Sequence, residues 1–136
     1  MKRLVFIDSG VLIAASQGKE DVAKKAFVIF NDPDIDFASS NFVQLETLPK
    51  PTYLKKDDEV KFYEEFFSKV SAWAQISHTL AQSAMEEAIK NGLGAVDALH
   101  IAAAIQCRAD EFVTAEKPEK PLFRVSDIPV RSIRTP

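Results

Sequence analysis

"RLVFIDSGVLIAAS", residues 3–16, decides the fold. The run "RLVFI" reads as a short buried strand, because its apolar residues are continuous and end at the turn-forming Asp8-Ser9-Gly10. "GVLIAAS" then reads as the start of a helix. With Met1 and Lys2 in front, the stretch has the outline of a short signal peptide: two basic residues, an apolar run, then small residues. Asp8 lies in the middle of that apolar run, where a secretory core rarely tolerates a carboxylate, so we expect no export.

Reading outward, short apolar strands alternate with helical patterns. "KEDVAKKAFVIF" (19–30) repeats Val22, Ala26 and Ile29 at helical spacing, and "NDPD" is a stop. "IDFAS" (35–39) reads as a second strand. Ser39 or Ser40 can cap a helix over 41–48, which "PKP" (49–51) ends. Residues 57–74 read as one long amphipathic helix with Phe62, Phe66, Val70 and Trp73 on its apolar side. A helix over 78–92 has Ser77 as its cap and Asn91-Gly92 as its stop. Residues 94–108 form another helix, "EFVT" (111–114) a strand, and the tail one or two short edge strands. The pattern predicts an α/β fold with a central parallel sheet of about four to five strands, in one domain over 1–136. It also makes 41–108 a helical insertion between sheet strands.

Composition narrows the function. The 136 residues are 46% apolar and 27% charged, enough for a real core and unlike a disordered chain. The formal net charge of −3 argues against a protein that coats DNA. Cys107 is the single cysteine, so an internal disulfide and a cysteine-rich zinc site are both ruled out. A reducing, cytoplasmic setting is expected. No apolar run is long enough to span a membrane.

Ligands of open parallel sheets bind beyond the C-terminal ends of the strands. Asp8 ends the first strand. Glu46 is on the helix after the second, and Glu116 follows "EFVT". Asp97, in "GAVDALHIAAA" (94–104), opens a helix that leads into that strand and so starts at the same edge. Each acid alone has a plainer reading: a turn residue, a solvated helix residue, a helix-start carboxylate, a loop acid. His100, one turn after Asp97, reads as packing behind the site rather than as a ligand. Four clustered carboxylates repel one another unless a cation neutralises them. Mg²⁺ or Mn²⁺ suits such oxygen donors and can drive phosphodiester hydrolysis. Lys50, Lys55 and Lys117 are candidate phosphate contacts, with Lys56 and Lys61 nearby, and Tyr53 or Phe62 could stack a base. Phe62, Phe66 and Phe67 equally suit a core, or an exposed aromatic hairpin that meets a partner.

"FIDSGVLIAA", "SNFVQLE", "AVDALHIAAA" and "EFVTAE" together resemble the PIN-domain nucleases, and among them the small VapC-like toxins of toxin–antitoxin pairs. The resemblance runs over nearly the whole chain. It implies a three-layer α/β fold and Mg²⁺- or Mn²⁺-dependent cleavage of RNA. It implies an antitoxin partner and a homodimer. It makes Asp8, Glu46, Asp97 and Glu116 the metal-binding acids, with Ser9 and Thr114 as helpers. The chain departs from the family pattern at Gly10, commonly Asn, and at Glu116, commonly Asp. Asp110 is a weaker rival for the fourth acid, because it precedes its strand. Two other functions stay open: a degenerate PIN domain that binds RNA or protein without cutting, and a phosphotransfer enzyme with Asp8 as nucleophile. The latter usually has a second Asp at the position occupied by Gly10.

Overall fold

The computed structural model describes residues 2–18 and 20–134. Among them the order is β1 (Arg3–Ile7), α1 (Ser9–Gln17), α2 (Glu20–Phe30), β2 (Ile35–Ser39), α3 (Asn41–Thr47), α4 (Pro49–Tyr53) and α5 (Asp57–Ser68). Then come β3 (Val70–Trp73), α6 (His78–Asn91), α7 (Ala95–Gln106), β4 (Glu111–Thr114), a 3₁₀ turn (Pro121–Arg124) and β5 (Val130–Ser132). The five strands form one parallel sheet in the order β3-β2-β1-β4-β5, with helices on its faces. No described helix is long and apolar enough to cross a membrane.

The first strand is the centre of the sheet, and its sequence explains why. Val5, Phe6 and Ile7 are fully buried, as a strand covered on both faces requires. Phe6 stacks on Phe112 of β4, with ring centroids 5.6 Å apart. The α7 helix is buried along Ala98 and Ile101–Ala104, because small alanines let it lie close to its neighbours. A second row of rings, Phe27, Phe30, Phe37, Phe62 and Phe66, joins α2 and α5 to β2.

The middle of the chain corrects the sequence reading. The predicted helix over 57–74 stops at Ser68, and Val70–Trp73 is an edge strand paired with β2. Val70 and Trp73 therefore belong to the sheet, and 41–108 is not purely helical. Two prolines do not end the helical path either. Pro49 takes the first position of α4, where a missing N–H costs nothing. The aromatic hairpin is not exposed: Phe66 and Phe67 are buried, and Phe62 packs between Phe27 and Tyr63. Other expectations hold. Gly92, at φ 68°, caps α6 in the left-handed conformation. The tail supplies one edge strand, β5.

Two substitutions test this account. Phe112→Ala should destabilise by about 3–5 kcal/mol, because it empties a fully buried site beside Phe6. The Ser40 hydroxyl accepts from the amides of Phe42 and Val43 at the start of α3. Ser40→Ala should cost about 1 kcal/mol. Urea melts of both variants check the ranking.

Candidate active site at the carboxyl edge of the sheet

Strand register brings the first two groups together. Ile7 of β1 lies opposite Val113 of β4, so the next residues, Asp8 and Thr114, meet just past the sheet. The Asp8 amide donates to the Val113 carbonyl at 2.9 Å, and the Thr114 hydroxyl donates to Asp8 Oδ2 at 2.8 Å. Asp8 holds the cap position of α1 but makes no side-chain bond to that helix. The plain turn reading therefore does not account for its carboxylate. Thr114 is itself held, because the Glu116 amide donates to its hydroxyl at 3.0 Å.

Glu46 comes in from the neighbouring helix. Ser40 caps α3, and the helix carries Glu46 round to face α1 and α7. Ser9 donates to Glu46 Oε1 at 2.7 Å. His100 Nε2 lies 2.5 Å from the same oxygen and 3.9 Å from Asp8 Oδ1. A ring nitrogen facing two carboxylates carries a proton, so Nε2 is the donor. His100 is 1% exposed and packs against Phe6. It is not among the residues that line the cleft and lies behind its wall.

Asp97 sits in the first turn of α7 after its cap, Gly94. It lines a cleft of about 500 Å³ with Asp8, Ser9, Glu46, Thr114 and Glu116. The four predicted acids thus share one cavity, from four separate segments. Asp110 does not share it. Its carboxylate accepts from the Leu4 amide at 2.8 Å, at the opposite end of β1. Gly10 is on the cleft wall, where an added Cβ would meet Ala115 Cβ at an ordinary 3.6 Å. The wall is therefore not closed to a side chain.

The cations are arranged less simply. Lys117 lines the acid cleft. Lys50 lines an adjoining groove that shares Ile13 and Glu46 with the cleft. Lys55 lies further off, in a concavity with Lys56 and Phe62. Tyr53 is largely exposed and lines neither the cleft nor that groove. Two cleft cations, Lys120 and Arg134, escaped the sequence reading. Nothing in their local sequence marks them, since the tail reaches the site only through tertiary packing.

The electrostatics are those of crowded, partly desolvated acids. Burial pushes the Asp8 carboxyl up to about 6, against the pull of His100 and the Thr114 hydrogen bond, while Asp97 and Glu46 push it higher. Asp97 is raised as well, first by burial and then by Glu116. Glu46 is lowered, chiefly by its hydrogen bond to His100. The donor set is carboxylate and hydroxyl oxygen, which suits a hard divalent cation. Among the described residues no group of three or more His, Cys, Asp or Glu side chains is already drawn together closely enough to hold a metal ion, so there is no preformed cage. An ion such as Mg²⁺, which keeps several of its waters, needs no such cage.

The sign of the Asp8 effect is testable. From about pH 4 to 6 the folded chain keeps a proton on Asp8 that the unfolded chain has lost, so stability falls as pH rises through that window. Asp8→Asn should reduce this slope by the Asp8 share, leaving that of Asp97 and of Glu87, which burial also raises. It should stabilise the metal-free protein at pH 7 by something on the order of 2–3 kcal/mol. Urea melts at pH 4.0 and 7.0, in EDTA, measure both; equal stability of the two proteins at pH 7 would contradict it.

Comparison with known proteins speaks to the family and the fold. The sequence pattern of the PIN domain matches residues 5–117. No curated protein sequence matches the chain. Among solved structures, one similar fold is in VapBC2 from Rickettsia felis bound to a DNA fragment from its promoter. The TM-score is 0.69 at 17% identity, covering 95% of this chain and 98% of the other. DNA-bound VapBC from Salmonella typhimurium gives 0.66 at 14%, covering 98% and 99%. VapBC-1 from nontypeable Haemophilus influenzae gives 0.67 at 13%, covering 97% and 99%. At such identities the likeness speaks for the fold. The sequence match covers most of the chain, and the chain belongs to the PIN domain family.

Proposed function

We propose that this chain is a divalent-metal-dependent endoribonuclease, folded as one domain over 1–136, and the VapC-like toxin of a toxin–antitoxin pair. The observation that carries the reading is the convergence of Asp8, Glu46, Asp97 and Glu116 on one cleft at the carboxyl edge of the sheet. An RNA phosphodiester is the proposed substrate. The likeness to chains of VapBC complexes supports an antitoxin protein as partner. A homodimer and a cytoplasmic setting complete the proposal.

Asp8, Glu46, Asp97 and Glu116 would hold Mg²⁺ or Mn²⁺. When bound, the ion supplies Lewis-acid activation of water and of the scissile phosphate. The protein's part is orientation. Thr114 fixes Asp8, while Ser9 and His100 both hold Oε1 of the Glu46 carboxylate. Asp8 and Glu46 thus reach the cleft on held side chains, as efficient catalysis requires. Lys50, Lys55 and Lys117 are proposed contacts to the RNA backbone. A phosphotransfer enzyme built on an Asp8 nucleophile has no support at position 10, where glycine offers no acid.

The test is cleavage of a labelled structured RNA with Mn²⁺, Mg²⁺ or EDTA. Activity should need metal, and Asp8→Asn or Asp97→Asn should lower it on the order of a hundredfold or more. Metal-independent cleavage, or full activity in both variants, would sink the reading. Mn²⁺ binding and RNA binding without cleavage would instead identify a non-cutting PIN domain.

A further inference from the structure

The segment after β5 brings a cation to the acid cleft, and that cation is built in rather than merely nearby. Ile133 donates its amide to the Thr114 carbonyl at 2.9 Å. The Ser132 hydroxyl donates to the Glu116 carbonyl at 2.6 Å, and the Arg134 amide donates back to that hydroxyl at 2.9 Å. Arg134 Nε donates to the Ala115 carbonyl at 2.6 Å. These bonds strap 132–134 along 114–116, the stretch that holds Thr114 and Glu116.

The bond at Nε fixes the guanidinium of a half-buried side chain on the cleft wall. An arginine placed to neutralise the acids would pair with one of them. Among the described residues Arg134 forms no ion pair, although its cleft holds several carboxylates. With Nε engaged by a carbonyl, the terminal nitrogens remain to meet two oxygens of one phosphate, the fork geometry that lysine lacks. The cleft also continues past Arg134 and Lys117 into a second concavity of about 420 Å³ beside α2. Arg134 therefore stands at the junction, where a strand leaving the acids would turn.

We propose that Arg134 binds a phosphate of the RNA strand immediately beside the acid cluster and sets how the strand lies across it. This rests on the ribonuclease reading above. It adds a substrate-contacting residue beyond residues 5–117, the part matched to the family.

The test separates the two claims. Anisotropy of a labelled single-stranded oligouridylate is titrated with the Asp97→Asn protein in Mn²⁺, with Arg134 intact or replaced by Ala or Lys, over a range of salt. Arg134→Ala should weaken binding roughly tenfold and reduce the slope of log affinity against log salt by about 0.7, the loss of one phosphate contact on a single strand. Arg134→Lys should restore the slope and part of the affinity. In otherwise native protein, Arg134→Ala should raise KM far more than it lowers kcat. An unchanged slope with Arg134→Ala, or equal loss with Ala and Lys alongside a lowered melting temperature, would leave Arg134 as a strap only and overturn the proposal. If the protein with Arg134 intact binds no RNA at any salt, the ribonuclease reading fails first and this inference with it.

Discussion

Everything at the carboxyl edge depends on keeping Asp8 charged enough to be useful while it is almost fully buried. Burial alone would hold it neutral, as its raised carboxyl indicates. Two groups work against that. The Thr114 hydroxyl donates to one oxygen, and His100 stands 3.9 Å from the other. Both partners are placed by the core rather than by local sequence. Thr114 arrives through the β1–β4 register, and His100 through the close packing of an alanine-rich helix. The site thus inherits its precision from the most tightly packed part of the molecule.

Glu46 shows the complementary design. It comes from a short helix, is more exposed than Asp8, and is held below its ordinary range by His100. One imidazole therefore serves two acids of opposite character. It offsets the burial of Asp8 and fixes the orientation of Glu46. A histidine that touches both, from behind the wall, links two strands' worth of site geometry in a single side chain. In the proposed nuclease this makes His100 a positioning residue, with the reacting groups in front of it.

The sheet edge was legible in the sequence for a physical reason. Buried parallel strands are continuous apolar runs, so "RLVFI" and "EFVT" stand out, and the acids that follow them fall at one edge by topology. The strand Val70–Trp73 was not legible. Phe62, Phe66, Val70 and Trp73 keep helical spacing straight through the helix end, and four residues are too few to display alternation. "PKP" misled because a proline that stops one helix can start another. Asp8, Glu46, Asp97 and Glu116 could be placed from their elements alone. The pairing of Glu46 with His100, 54 positions away, and the arrival of Arg134 could not, because both are products of packing.

The central position of β1 has a consequence for biosynthesis. Its neighbour on one side, β4, lies more than a hundred residues downstream, as the Thr114 to Asp8 bond spans 106 positions. Such a contact must wait until residues 111–114 have been made, and a loop of that length then has to close. The earlier half, β1 to β3, can pair as it emerges, yet it carries only Asp8 and Glu46. A nascent chain is thus kept without a complete acid edge, and the order of synthesis itself acts as a timer on when the cleft can first exist.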